Sequence, residues 1–202
     1  MFQRGARKEN VQLGGNRIMP LPHEASHTES DYYNLPENVR AELINGQILY
    51  MAAPGRLHQK ILMEIAGTIR DYIKSNNETC EIYPAPFAVE LSDTSCGNKN
   101  IVEPDISVIC DPKKLTDRGC TGAPDWIIEI VSPSNSKHDY ITKLALYESA
   151  GVREYWIVDL AQKRVLVYLF KADAIVNIYT FYDTIKASIY EDFYIDFSSL
   201  IL

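Results

Sequence analysis

The run Trp126-Ile-Ile-Glu-Ile-Val131 does most to restrict the architecture open to this chain. Pro124 and Pro133 bound it, so it is too short for an ordinary helix, and every side chain but one is apolar. A short apolar run between breakers suits a central strand covered on both faces, which requires further layers on either side of a sheet. The exception is Glu129. A buried, unpaired carboxylate costs several kcal/mol or stays protonated, so something must compensate for it. A bound cation, a functional role, an ordinary salt bridge or an edge-facing position would each serve, and the run alone does not choose among them.

The flanking segments supply the other layers. Arg40–Ile44, Asn45-Gly46 and Gln47–Met51 predict a β-hairpin, because Asn-Gly tolerates the positive φ angles of a two-residue turn. Leu57, Ile61, Ile65, Ile69 and Ile73 recur every fourth residue and predict an amphipathic helix of about four to five turns. Glu81 to Leu91 and Ile101 to Cys110 read as strands around a polar loop containing Ser92, Asp93, Thr94 and Gly97. After the Glu129 run, Ser136-Lys-His-Asp139 has the form of a capping box that opens a helix through Ala150, closed by Gly151. Glu154–Asp159 and Arg164–Phe170 predict a second hairpin, and the last thirty residues are strand-like. Residues 1 to about 30 contain Gly-Gly, Pro-Leu-Pro and little periodicity, which predicts a loose arm before one domain over 31–202. The expected fold is mixed α/β (α+β), a central mixed β-sheet flanked by helices.

Composition narrows the classes. No 18-residue apolar run indicates a transmembrane helix, and the polar N-terminus lacks a signal-like stretch, so a cytoplasmic location is expected. Cys80, Cys96, Cys110 and Cys120 lack zinc-ligand spacing. Reduced, buried thiols are expected instead, with Cys110 packing as a small hydrophobe. No GxGxxG or GxxxxGK[ST] loop supports dinucleotide or P-loop chemistry. The net charge is −7, from 20 basic and 27 acidic residues. That balance disfavours non-specific nucleic-acid affinity, although it says nothing of the local field in a cleft.

Further candidates surround Glu129. Asp105 follows Pro104 at the head of Ile106-Ser-Val-Ile109, where an acid is also ordinary turn chemistry. Glu103, two positions earlier, would point to the same sheet face. Lys143 borders the helix stripe of Tyr140, Leu144 and Tyr147, a place from which a lysine usually reaches to water. Asp139, four residues before it, offers a plain surface ion pair or simply the helix cap. Glu42 lies in the first hairpin, as a surface acid or a support for a site. His58 falls on the apolar side of the long helix, as a satisfied core histidine or a group supporting a site.

Taken in order, these residues form a pattern. Pro104-Asp105, Glu129 in its apolar strand, Ser132-Pro133-Ser134 and Asp139-Tyr-Ile-Thr-Lys143-Leu-Ala-Leu-Tyr147 resemble the "putative restriction endonuclease" family, a branch of the PD-(D/E)XK nuclease superfamily. The likeness extends to Glu42-Leu-Ile-Asn-Gly46, to Pro54 with His58-Gln59, and to Gly151-Val152 with Glu154–Asp159, covering roughly Asp31 to Phe170. It implies a sheet with helices on its faces and a divalent metal, Mg²⁺ or Mn²⁺, at one end. Asp105 and Glu129 would be the metal ligands with the Ile130 carbonyl, and Lys143 and Glu42 would complete the catalytic set. The superfamily's simplest pattern puts lysine two positions after the acid, where this chain has Val131; the branch it resembles uses the next helix instead.

Those residue types suit phosphodiester hydrolysis. Carboxylates favour Mg²⁺ or Mn²⁺, and lysine supplies a point charge near a scissile phosphate. The expected activity is DNA cleavage. The alternatives are a nuclease-fold nucleic-acid-binding or regulatory protein with little catalysis, and a hydrolase of a small phosphoester. A homodimer is expected if both strands are cut, with the aromatic strands near Tyr168, Tyr179, Phe181 and Tyr182 as its interface.

Overall fold

A computed structural model describes residues 26–92, 99–131, 137–170 and 175–200. In chain order the elements are α1 (Glu29–Tyr33), β1 (Ala41–Ile44), β2 (Gln47–Tyr50), α2 (Arg56–Ser75), β3 (Glu81–Pro84), β4 (Ala88–Ser92) and β5 (Lys99–Val102). Next come β6 (Ile106–Ile109), β7 (Leu115–Thr116), β8 (Gly119–Thr121), β9 (Trp126–Val131), α3 (Lys137–Ala150) and β10 (Glu154–Asp159). The chain continues through β11 (Arg164–Leu169), β12 (Ile175–Thr180), β13 (Thr184–Lys186), β14 (Tyr194–Asp196) and α4 (Phe197–Leu200). The fold is mixed α+β, as the sequence pattern predicts.

The strands make two mixed six-stranded sheets rather than one central sheet, with order β2-β1-β5-β4-β8-β7 in the first and β12-β11-β10-β9-β6-β3 in the second. β13 and β14 form a separate pair. Proline accounts for the division. The expected strand Glu81–Leu91 contains Pro84 and Pro86, and splits into β3 of the second sheet and β4 of the first. The expected strand 101–110 contains Pro104, which cannot donate to a ladder, and splits likewise into β5 and β6. Glu103 and Asp105 therefore lie in a crossover between sheets instead of on one face of a single strand.

Other expectations hold. The β1–β2 hairpin turns at Asn45 (φ 50°) and Gly46 (φ 77°), as a primed turn demands. α2 buries Ile61, Leu62, Ile65, Ile69 and Ile73, each contributing about 1.5–3 kcal/mol relative to exposure. Leu57 departs from the predicted stripe and is exposed on the first turn. α3 ends where Gly151 takes φ 89°. The cap expected at Ser136, the side chains of Asp139 and Tyr140, and the loop at Asp93, Thr94, Cys96 and Gly97 lie outside the described residues.

Two cysteines are not free thiols. The antiparallel register Glu81↔Ile109 continues outward to Cys80 and Cys110, which are joined by a disulfide, while Cys120 is a buried free thiol. The aromatic interface predicted near the C-terminus also needs correction. Phe181 is buried and stacks on Phe197, so only Tyr182 of that pair faces solvent. No helix among the described residues is long and apolar enough to cross a membrane.

β9 is the strand that places the site. It pairs in parallel with β10 and antiparallel with β6, and all six of its residues are buried. Alternation sends Trp126, Ile128 and Ile130 into the cluster under α2. Ile127 and Val131 turn the other way, against Leu146 and Tyr147 of α3 and Val89, Leu91 and Val102 of the first sheet. Glu129 is in phase with the second set.

Candidate active site

Glu129 is satisfied from α3. Lys143 Nζ lies 3.0 Å from Glu129 Oε1, and the Tyr147 hydroxyl donates to the same oxygen at 2.7 Å. The two donors are four residues apart, so one helical face presents both. Lys143 also reaches Glu42 Oε1 on β1 at 2.8 Å, bridging an acid from each sheet. Its side chain is 10 % exposed. The expectation that a border lysine extends to water fails because two carboxylates lie beneath the helix. Glu42 Oε1 is held further by the Glu103 amide at 3.0 Å.

Asp105 closes the other side. Pro104 and Asp105 precede β6, so the β9 ladder runs out of partners there and the Asp105 carboxylate substitutes for one. Its Oδ2 accepts the Ile130 amide at 2.7 Å. His58, in the first turn of α2, places Nε2 at 3.0 Å from the same oxygen. The structure thus brings His58 to the site instead of leaving it in the core. At the rim, Arg40 donates through Nε and Nη2 to Glu103 Oε2 at 3.0 and 2.9 Å, and the Tyr32 hydroxyl points at Glu103 Oε1. Arg40, Glu42, His58, Asp105, Glu129 and Lys143 all line one cleft of about 400 Å³, to which Leu49, Tyr50, Met51, Ala52, Ala53 and Pro54 also contribute.

The electrostatics follow from crowding. Burial pushes the Glu129 carboxyl up, Lys143 pulls it down, and the neighbouring Asp105 and Glu42 push it up again, leaving it above its ordinary range. Burial would lower the Lys143 ammonium, but Glu129 and Glu42 more than offset this and hold it above its usual value, so it stays charged. Burial likewise raises the Tyr147 hydroxyl, with Glu129 and Glu42 adding to the effect, so it remains a neutral donor. For His58, burial acts downward, but the hydrogen bond and charge of Asp105 outweigh it and raise the net value.

All four side chains expected at a site (Asp105, Glu129, Lys143 and Glu42) line the cleft. Ile130 contributes its amide to Asp105 and sits beside them. Glu103, the competing acid beside Asp105, meets Arg40 at the rim, and the sequence does not mark Tyr147 or Arg40 for the site. Tyr147 reads as part of an apolar stripe, and only its i+4 spacing from Lys143 hints at a shared target. Nothing in the sequence signals that Arg40 would meet Glu103, 63 residues away.

The family described as "Putative restriction endonuclease" (Uma2) matches residues 29–191. The chain belongs to that family. Its fold is similar to the crystal structure of a "putative nuclease belonging to DUF820" from Anabaena variabilis, with a TM-score of 0.71 and 22% identity, covering 87% of this chain and 99% of that one. An uncharacterized protein of Synechocystis sp. is 24% identical over 128 residues, 63% of this chain. The match spans 64% of that relative's length. Asp105 after its proline, Glu129 in its apolar strand and Lys143 on the next helix meet in one cleft.

Proposed function

We propose that this Uma2 protein is a metal-dependent endonuclease that hydrolyses phosphodiester bonds in DNA, with Asp105, Glu129, Lys143 and Glu42 as its working residues. The observation that carries this reading is the buried Lys143 ammonium, bonded to Glu129 and Glu42 beside Asp105 in an open cleft. Glu42 and Glu129 share one ammonium, with Asp105 beside them on His58, so carboxylates crowd the cleft, a condition that a divalent cation relieves.

The donor set fits Mg²⁺ or Mn²⁺. Asp105 and Glu129 would hold the ion with the Ile130 carbonyl, all oxygen ligands of the type these ions prefer. Among the described residues no three His, Cys, Asp or Glu side chains form a ready-made cage. An ion of this class keeps several waters and takes only part of its coordination from protein carboxylates. When bound, such an ion makes a coordinated water more acidic and polarises the phosphoryl oxygens.

The chain's own residues supply the rest. Lys143, held charged by its two acids, acts as a fixed positive point for the phosphate rather than as a base. Glu42 and Glu129 keep that ammonium in the cleft, and Tyr147 holds Glu129 in its rotamer through Oε1.

A second reading, hydrolysis of a small phosphoester at the same residues, is favoured by one observation. The net charge is −7, and both cleft cations, Arg40 and Lys143, are already engaged by carboxylates. Supercoiled plasmid incubated with Mg²⁺ or Mn²⁺, beside a Glu129→Ala control, separates the readings. Nicking or linearisation that requires metal and Glu129 supports the endonuclease. Intact plasmid together with metal-dependent turnover of bis(p-nitrophenyl) phosphate moves the assignment to small phosphoesters. Neither activity from folded protein leaves a nuclease-fold binding protein.

A further inference from the structure

His58 stands outside the residue set above, yet its imidazole meets the carboxylate most exposed to the proposed ion. Both hydrogen bonds described to the Asp105 side chain fall on Oδ2, from the Ile130 amide at 2.7 Å and from His58 Nε2 at 3.0 Å. A carboxylate only accepts, so Nε2 carries the proton in this contact. Among the described residues the other ring nitrogen, Nδ1, is buried without a hydrogen-bond partner, and besides Asp105 the imidazole meets the backbone of Ile130, next to the Asp105 contact. The two side chains are 12% and 15% exposed, dry enough for the contact to have a defined geometry.

The two donors come from different layers. The Ile130 amide belongs to β9, and its direction is set by the second sheet. His58 belongs to the first turn of α2, whose position is set by Ile61 and Leu62 one turn later and Ile65 two turns later in the buried face. Together they hold Oδ2 from two directions. A single amide would leave the carboxylate free to rotate about its terminal torsion, which is a soft one.

We propose that His58 is the positioning residue of the metal site: its Nε2–H and the Ile130 amide pin Oδ2 of Asp105, so that Oδ1 is presented to a divalent cation in the cleft. The inference rests on the metal-dependent reading above and adds a residue which that reading does not use. Groups that orient metal ligands typically control roughly 10–100-fold in metal affinity. His58→Leu keeps much of the volume and removes the donor. His58→Gln keeps an N–H able to reach Oδ2.

The test is Mn²⁺ binding to the full chain by titration calorimetry, with thermal unfolding in EDTA to show that each variant folds. The expected result is wild-type binding that is lost in Asp105→Asn, weakened roughly 10–100-fold in His58→Leu and largely restored in His58→Gln. In the Asp105→Asn background, His58→Leu should then change nothing further, because the carboxylate it positions is gone. Equal Mn²⁺ affinity in wild type and His58→Leu would overturn the inference while leaving the metal site intact. Equal weakening in His58→Leu and His58→Gln would also overturn it, since donation through Nε2 would not be the cause. A folded wild type that binds no Mn²⁺ would defeat the metal-dependent reading itself, and this inference with it.

Discussion

Two buried glutamates sit on neighbouring strands of one sheet in opposite surroundings. Glu129 on β9 meets an ammonium, a phenol and two further acids at the edge of an open cleft. Glu154 opens β10 and is 1% exposed. It accepts from neutral donors, Trp156 Nε1 at 2.7 Å on β10 itself and the Ile189 amide at 3.0 Å, the second of which ties β10 to the segment between β13 and β14. Burial raises both carboxyls above their ordinary range. A raised acid is therefore not in itself the mark of a working one. At Glu129 the surroundings are charged and open onto the cleft; at Glu154 the hydrogen-bond donors are neutral and the side chain is shut in, with Arg153 the nearby charge. Burial leads the shift in both, and the cleft distinguishes their surroundings.

The largest test of that contrast is activity. Lys143→Met removes the ammonium while keeping the length of the chain. Metal-dependent plasmid cleavage should fall roughly 10²–10³-fold, the usual loss when a fixed transition-state donor is removed. Glu154→Gln should leave the rate unchanged. A Glu154→Gln protein that folds and yet cleaves as poorly as Lys143→Met would break the comparison.

The next test is stability against pH. The Glu154 carboxyl titrates at about 7 in the fold against an ordinary 4.5, burial outweighing its donors and the nearby Arg153. The folded state therefore holds a proton that the unfolded chain has released across this interval. Its contribution is complete below pH 4.5 and is lost as the pH rises through about 7, amounting to about 3 kcal/mol. Denaturant unfolding of wild type and Glu154→Gln at pH 4.5 to 8 should show this slope in the first and its absence in the second. Parallel curves would mean that Glu154 stays ionised in the fold.

The smallest effect is expected at Tyr147. Tyr147→Phe deletes one donor to Glu129 Oε1 and leaves Lys143 in place. The hydrogen bond contributes about 1–1.5 kcal/mol, read as a lower denaturation midpoint with the slope unchanged. Cleavage should fall by less than for Lys143→Met. An equal fall would make the phenol, not the ammonium, the principal holder of Glu129.

Local physics made much of the fold legible. The Asn45-Gly46 turn, the four-residue spacing along α2 and the alternation around Glu129 are each properties of a few adjacent residues, and the structure follows them. The division into two sheets was present as Pro84, Pro86 and Pro104, but a proline shows where a ladder stops and not where the chain goes next. Asp105 shows the difference. Sequence places it at a strand start, and only the crossover between sheets turns its carboxylate to the Ile130 amide and His58.

By itself, then, the sequence determined the element types, the buried strand and the residue types of a candidate cleft, because these depend on period, turn chemistry and the cost of burying charge. The tertiary structure decided which acids share a cation, that Lys143 points inward between Glu42 and Glu129, and that Glu154 is sealed away. Those outcomes depend on contacts between residues as much as 101 positions apart. No local preference encodes them, because the free energy that selects each partner exists only once both layers are packed.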